Sequence, residues 1–77
     1  MDRLRQGVVL FHSIHALFVL KKELAKRNVQ TRAVPIPRHL SSDCGSALAF
    51  PMIHADAVRD AVSECRLEIQ GIHELEP

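Results

Sequence analysis

A chain of 77 residues, with ten Lys plus Arg against nine Asp plus Glu, has room for a single domain with a small core. Near-balanced charge, and Phe11, Phe18 and Phe50 as the only aromatics, leave no basic stripe with interleaved aromatics and argue against a nucleic-acid binder that neutralises phosphates. No run approaches the ~18 apolar residues of a membrane helix, and the opening MDRLRQGVVLF lacks the roughly 7–15 apolar residues and cleavage site of a secretory leader. A reducing cytoplasm is therefore expected, where cysteines are thiols by default.

GVVLF (7–11) is a short β-branched apolar run after a glycine and reads as a central strand. Ser13 is a reasonable N-cap for a helix from Ile14 to about Arg27, with Leu17, Leu20 and Leu24 on one face. Lys21, Lys22, Lys26 and Arg27 crowd its C-terminal half, which suits the helix dipole, and Asn28 is a plausible left-handed terminator. VQTRAVP (29–35) reads as a second strand ending at proline. The polar stretch PIPRHLSSDCGS (35–46) follows, then a third strand, ALAFPM (47–52). A second helix begins near His54, with Val58, Ala61, Val62 and Cys65 at i, i+3, i+4 and i+7. LEIQGIHEL (67–75) supplies a last strand, with Gly71 as a bulge or bend.

This order, β-α-β-β-α-β, is the split βαβ of ferredoxin-like α+β folds: a four-stranded antiparallel sheet with two helices on one face. One sheet face is then open, yet GVVLF and ALAF are apolar on both faces, and Phe18 and Val19 lie off the main helical stripe. A second subunit covering the open face, making a homodimer, would account for this. A sheet that simply exposes some valine and leucine would account for it too.

Cys65 continues the apolar face of the second helix and reads as a small buried hydrophobe. Cys44 has no apolar period to continue. It lies between Asp43 and Gly45, with Ser41 and Ser42 just before. Arg38 and His39 are cations or potential cations within six residues of it, and Gly45 permits backbone angles at which N–H groups converge on an anion. Both effects favour thiolate, whereas the Asp43 carboxylate disfavours it. The plain reading is a serine-rich turn with an incidental cysteine, in which Ser41, Ser42 and Asp43 bond local backbone.

Five histidines are scattered: His12 and His15 around the start of the first helix, His39 in the loop, His54 and His73 at element ends. Without a C-x-x-C or H-E-x-x-H spacing, no metal site is expected. Three single glycines make no phosphate cradle, so no cofactor is expected either. Up-down counting along the fold places the β1–α1 turn and the β2–β3 connection at opposite ends of the sheet, which argues against His12, His15 and Cys44 forming one site unless the long loop folds back.

FHSIHALFVLKKELAKRNV followed by VPIPRHLSSDCGSAL resembles small bacterial proteins labelled selenium/sulfur carriers. The hallmarks are an F-x-S/T start to helix one, a P-x-P-R element and an S-x-x-C-G segment. They fall here on Phe11, Ser13, Pro35, Pro37, Arg38, Ser41, Ser42, Cys44 and Gly45, within a resemblance spanning about 7–75. Lys21 stands where that family often carries an acid, Asn28 where it often has glycine, and Cys65 lies outside the pattern. The resemblance implies a carrier rather than a complete catalytic site. Cys44 would hold a persulfide or selenylsulfide, Gly45 and its neighbours would donate N–H groups to the terminal atom, and Arg38 would aid electrostatically or in docking. Donor and acceptor proteins, for example a cysteine desulfurase, would be the partners. Two other readings stand beside it. In one, a ferredoxin-like binding or regulatory module docks a partner or ligand through loop 35–46 without needing Cys44 chemically. In the other, a Cys/His metal protein uses Cys44 with His39 or a histidine of another subunit.

Overall fold

A computed structural model describes residues 5–36 and 45–75. Chain order is β1 (Gln6–Phe11), α1 (Ile14–Lys26), β2 (Arg32–Pro35), β3 (Ser46–Pro51), a short 3₁₀ turn (Met52–His54), α2 (Ala55–Glu64) and β4 (Ile69–Leu75). The sheet order is β2-β3-β1-β4, and every neighbouring pair is antiparallel. This is the ferredoxin-like α+β arrangement that the element order predicts.

Strand alternation divides β1 and β3 between two apolar clusters. Val9, Phe11, Leu48 and Phe50 join Leu17, Leu20 and Leu24 of α1 and Val58 and Ala61 of α2 in the main core. Each such aliphatic or aromatic side chain, fully buried, contributes roughly 1.5–3 kcal/mol. Val8, Leu10, Ala47 and Ala49 form a second cluster on the other face, with Val34 and Ile36 against it. All four are buried within the single chain, Leu10 being the most exposed at 3%. Their burial does not depend on a second copy, although they lie on the face away from the helices.

Gly7 sits opposite Phe50 in the ladder. A Cβ there would come within 2.6 Å of both Phe50 Cζ and Met52 Sδ, so the missing side chain is what lets the Phe50 ring lie across β1. Beside Gly71 the β1–β4 register shifts between Leu10 and Phe11, which pair with Gly71 and Ile69. Gln70 is the extra residue, so the expected irregularity is a bulge one position from the glycine.

Both helices close in the same way. Asn28 takes φ 63°, its N–H donates to the Ala25 carbonyl, and the Val29 N–H donates to the Leu24 carbonyl. Arg66 takes φ 54°, its N–H donates to the Ser63 carbonyl, and the Leu67 N–H donates to the Val62 carbonyl. These are Schellman closures, each completed by an apolar residue folding back on the last turn. They correct two expected boundaries: β2 begins at Arg32 instead of Val29, and β4 at Ile69 instead of Leu67. Arg27, braced by Glu23 one turn back at 3.1 Å, then ties α1 to α2 through Glu64 at 2.7 Å.

Candidate functional site

The β2–β3 connection is closed by a ladder that reaches Pro35 and Ser46, which are paired residues. Its two ends are thus held roughly 5 Å apart. Ile36 leaves β2 half-buried against the second cluster. Gly45 leads into β3 at φ +77°, exposed, with nothing within 4 Å of where a Cβ would stand. Glycine is needed there for its left-handed backbone and not for lack of space. Of the residues singled out from sequence, Arg38, His39, Ser41, Ser42, Asp43 and Cys44 lie outside the described residues, as does Pro37. Gly45 is described, and Cys44 is the residue bonded to it.

The register overturns one expectation. Leu10 pairs with Ala47, and Ala47 pairs with Val34. The end of β1, the start of β3 and the end of β2 are therefore level, and the β1–α1 turn shares an end of the sheet with the β2–β3 connection. The physical reason is that β1 and β2 run parallel to each other with β3 antiparallel between them. The helix α1 returns the chain, so both strands finish at the same end. Counting reversals without that return misplaces the turn.

The turn brings specific groups to this end. Ser13 caps α1 in extended geometry (φ −144°, ψ 152°), its Oγ accepting from the Ala16 N–H at 3.3 Å. The positive pole of the 13-residue helix α1 consequently lies at the end where Gly45 enters β3. His12 and His15 are both exposed there. Ile14 is exposed in the first turn, and Phe18, one turn further, is 59% exposed. Phe18 thus lies off the main stripe, as its helical position predicts, and Val19 is half-buried.

The residue pattern matches a known family. The chain belongs to the family described as "Putative Se/S carrier protein-like", whose model matches residues 6–74. No curated protein and no solved structure matches it. Membership in this Se/S carrier-like family covers both helices, all four strands up to Glu74 and the β2–β3 connection.

Cys65 is a free thiol at the C-cap of α2, half-buried. It does end the apolar stripe begun by Val58 and Ala61, which are buried, but it stands where the helix turns off. Among the described residues, no three His, Cys, Asp or Glu side chains are grouped to hold a metal ion. No helix among them is long and apolar enough to cross a membrane.

Sequence reasoning missed that the α1 N-terminus shares an end of the sheet with the β2–β3 connection. The signal was present in Phe11-His12-Ser13: a strand end followed within two residues by a helix cap places the positive pole of the helix at that strand's end.

Proposed function

We propose that this protein is a carrier of sulfur or selenium in a reducing cytoplasm, with Cys44 as the carrying thiol. The support is membership in the Se/S carrier-like family across residues 6–74, a range that contains Cys44. The chemistry asks little of the carrier. The Cys44 thiolate attacks the terminal sulfur of a persulfide on a donor such as a cysteine desulfurase. The donor's S–S bond breaks, its cysteine leaves as thiolate, and Cys44 keeps the terminal sulfur as an anionic persulfide. With a terminal selenium the donor's S–Se bond breaks in the same way and a selenylsulfide forms. An acceptor's thiolate reverses the step.

Thiolate and persulfide are both anions, so a positive environment favours loading. Cys44 is joined to Gly45, whose end of the sheet carries the positive pole of α1. Arg38 and His39 add charge of the same sign from the loop sequence, and Asp43 opposes them. In this reading Gly45, Ser41 and Ser42 supply N–H or hydroxyl donors to the terminal atom.

The test is to incubate the protein with a cysteine desulfurase and cysteine, then take an intact mass without reductant. A gain of one sulfur atom that survives Cys65→Ser and vanishes with Cys44→Ser is expected. An unmodified Cys44 under conditions that load a known carrier would refute the proposal. Undiminished partner binding and cellular function in Cys44→Ser would favour a docking module instead.

A further inference from the structure

Each helix buries one face and leaves the other to solvent. On α1 the buried Ala16, Leu17, Leu20 and Leu24 stand opposite His15, Phe18, Lys22 and Lys26, which are exposed and follow one another at three or four residues. The only acid of α1, Glu23, is half-buried and bonded to Arg27. On α2 the buried Val58 and Ala61 stand opposite Asp56, Arg59, Asp60 and Ser63, all exposed. Arg59 is the only cation of α2 and lies 3.4 Å from Asp56. One helix thus shows solvent a cationic face, and the other a mainly anionic one. The two helices are neighbours, since both pack on the same core and Arg27 at the end of α1 meets Glu64 at the end of α2.

The charges on these faces are unspent. Lys22, Lys26 and Asp60 have no ion-pair partner among the described residues. Each helix also brings one large exposed apolar side chain. Phe18, one turn before Lys22, is 59% exposed, and Ile53, three residues before Asp56, is 82% exposed. The spacings agree: Lys22 and Lys26 are four residues apart, and so are Asp56 and Asp60. Each pair therefore spans one helical turn, and the two match whichever way the helices run.

We propose that two copies of this chain pair through their helical layers, with α1 of each lying on α2 of the other. A two-fold axis in the plane of the interface, running between the helices, makes this exchange. Lys22 and Lys26 then face the partner's Asp56 and Asp60, twice over. The alternative two-fold would stack α1 on α1 and set the lysines against their own copies, so charge selects the exchanged arrangement. Exposed ion pairs give register more than affinity, and Phe18 and Ile53 add apolar area to bury. Cα extents of 32 × 28 × 16 Å make the broad face comparable to the ≈ 800 Å² per partner of a standard interface. This surface lies across the sheet from Val8 and Leu10, which are buried within one chain. It does not involve Cys44 and stands or falls independently of the carrier reading.

The experiment is sedimentation of the full chain, under reductant, across the micromolar range. A concentration-dependent dimer that weakens with added salt is expected. Lys22→Glu with Lys26→Glu, and separately Asp56→Lys with Asp60→Lys, should each weaken it on the order of thirtyfold, the size expected for losing four exposed ion pairs. Mixed together, the two double variants should form a heterodimer about as tight as the parent dimer, because both halves of the interface again oppose unlike charges. Phe18→Gln, which alters no charge, should weaken the parent dimer on the order of tenfold. A monomer at every concentration would overturn the proposal, whatever else the cationic face of α1 then binds. So would a dimer indifferent to both double variants, or two double variants, folded by circular dichroism, that do not associate when mixed. Should a double variant prove unfolded, Phe18→Gln and the salt response decide, and a dimer unmoved by both overturns it.

Discussion

Replacing Gly45 by L-alanine and, separately, by D-alanine tests the geometry where the β2–β3 connection enters β3. The position has φ +77° and empty space around a would-be Cβ. An L side chain in the left-handed region costs roughly 1–2 kcal/mol, with no steric clash to add. Restricting the unfolded chain returns about 0.4–1 kcal/mol, so L-alanine should destabilise by about 0.8 kcal/mol. D-alanine suits positive φ and keeps only the favourable part, a gain of about 0.7 kcal/mol. For a domain of this size 1 kcal/mol moves Tm by about 4–8 °C. The two variants should thus straddle the parent protein and differ by roughly 6–12 °C. D-alanine can be introduced by ligation at the Asp43–Cys44 junction, and thermal unfolding followed by circular dichroism gives both midpoints. Equal midpoints for the two enantiomers would show that Gly45 is not held at positive φ, and the account of how the chain enters β3 would fail with it.

Gly7→Ala should destabilise by about 1–3 kcal/mol, read from denaturant midpoints, because the new methyl meets Phe50 and Met52 at 2.6 Å in a packed core. Arg66→Gly should do the reverse: relieving a left-handed arginine at φ 54° outweighs the added freedom of the unfolded chain by about 0.5–1 kcal/mol, and Tm should rise. Ser13→Ala removes the Oγ that caps Ala16 N–H and should cost about 1 kcal/mol in the same unfolding assay. Glu74 is held below its usual pKa of 4.5, first by its hydrogen bond from Arg5 and then by that residue's charge. A depressed carboxylate stabilises the fold above its unfolded pKa and loses that contribution as pH falls through the folded value. Arg5→Gln should therefore move the Glu74 titration upward by carbon-13 NMR and flatten this part of the acid dependence.

The fold was legible because its signals agree. The β-branched run at 7–11, the leucine spacing on α1, Ser13 and Asn28 all point to the same elements, and consistency across levels is what specifies a structure. The two boundary errors share one cause. Val29 and Leu67 are apolar residues next to strand-like sequence, and each has the pattern of a strand start. Each instead folds back to close a Schellman motif, after Asn28 and Arg66 respectively. Asn28 announced its left-handed turn by residue type. Arg66 did not, because arginine has no special tolerance of positive φ and its conformation is imposed by the packing of Leu67 beneath α2.

The candidate site is singled out in a different way, by exception. Helical and strand periodicities account for Cys65, Leu17 or Val8, whereas loop 35–46 obeys neither, and chemistry can be placed where packing does not dictate the side chain. What periodicity could not supply was the relation of that loop to the rest of the molecule, which depends on strand direction. In a β-α-β unit the helix carries the chain back, so the two strands are parallel and their ends coincide. The insertion of β3 between β1 and β2 does not alter this, as the Leu10–Ala47–Val34 register shows. The N-terminus of α1 is consequently at the same end of the sheet as the point where Gly45 leads into β3. For the carrier proposed above, Asp43→Asn removes a neighbouring carboxylate that disfavours thiolate, so Cys44 should alkylate faster at neutral pH, and an unchanged rate would refute that reading of Asp43.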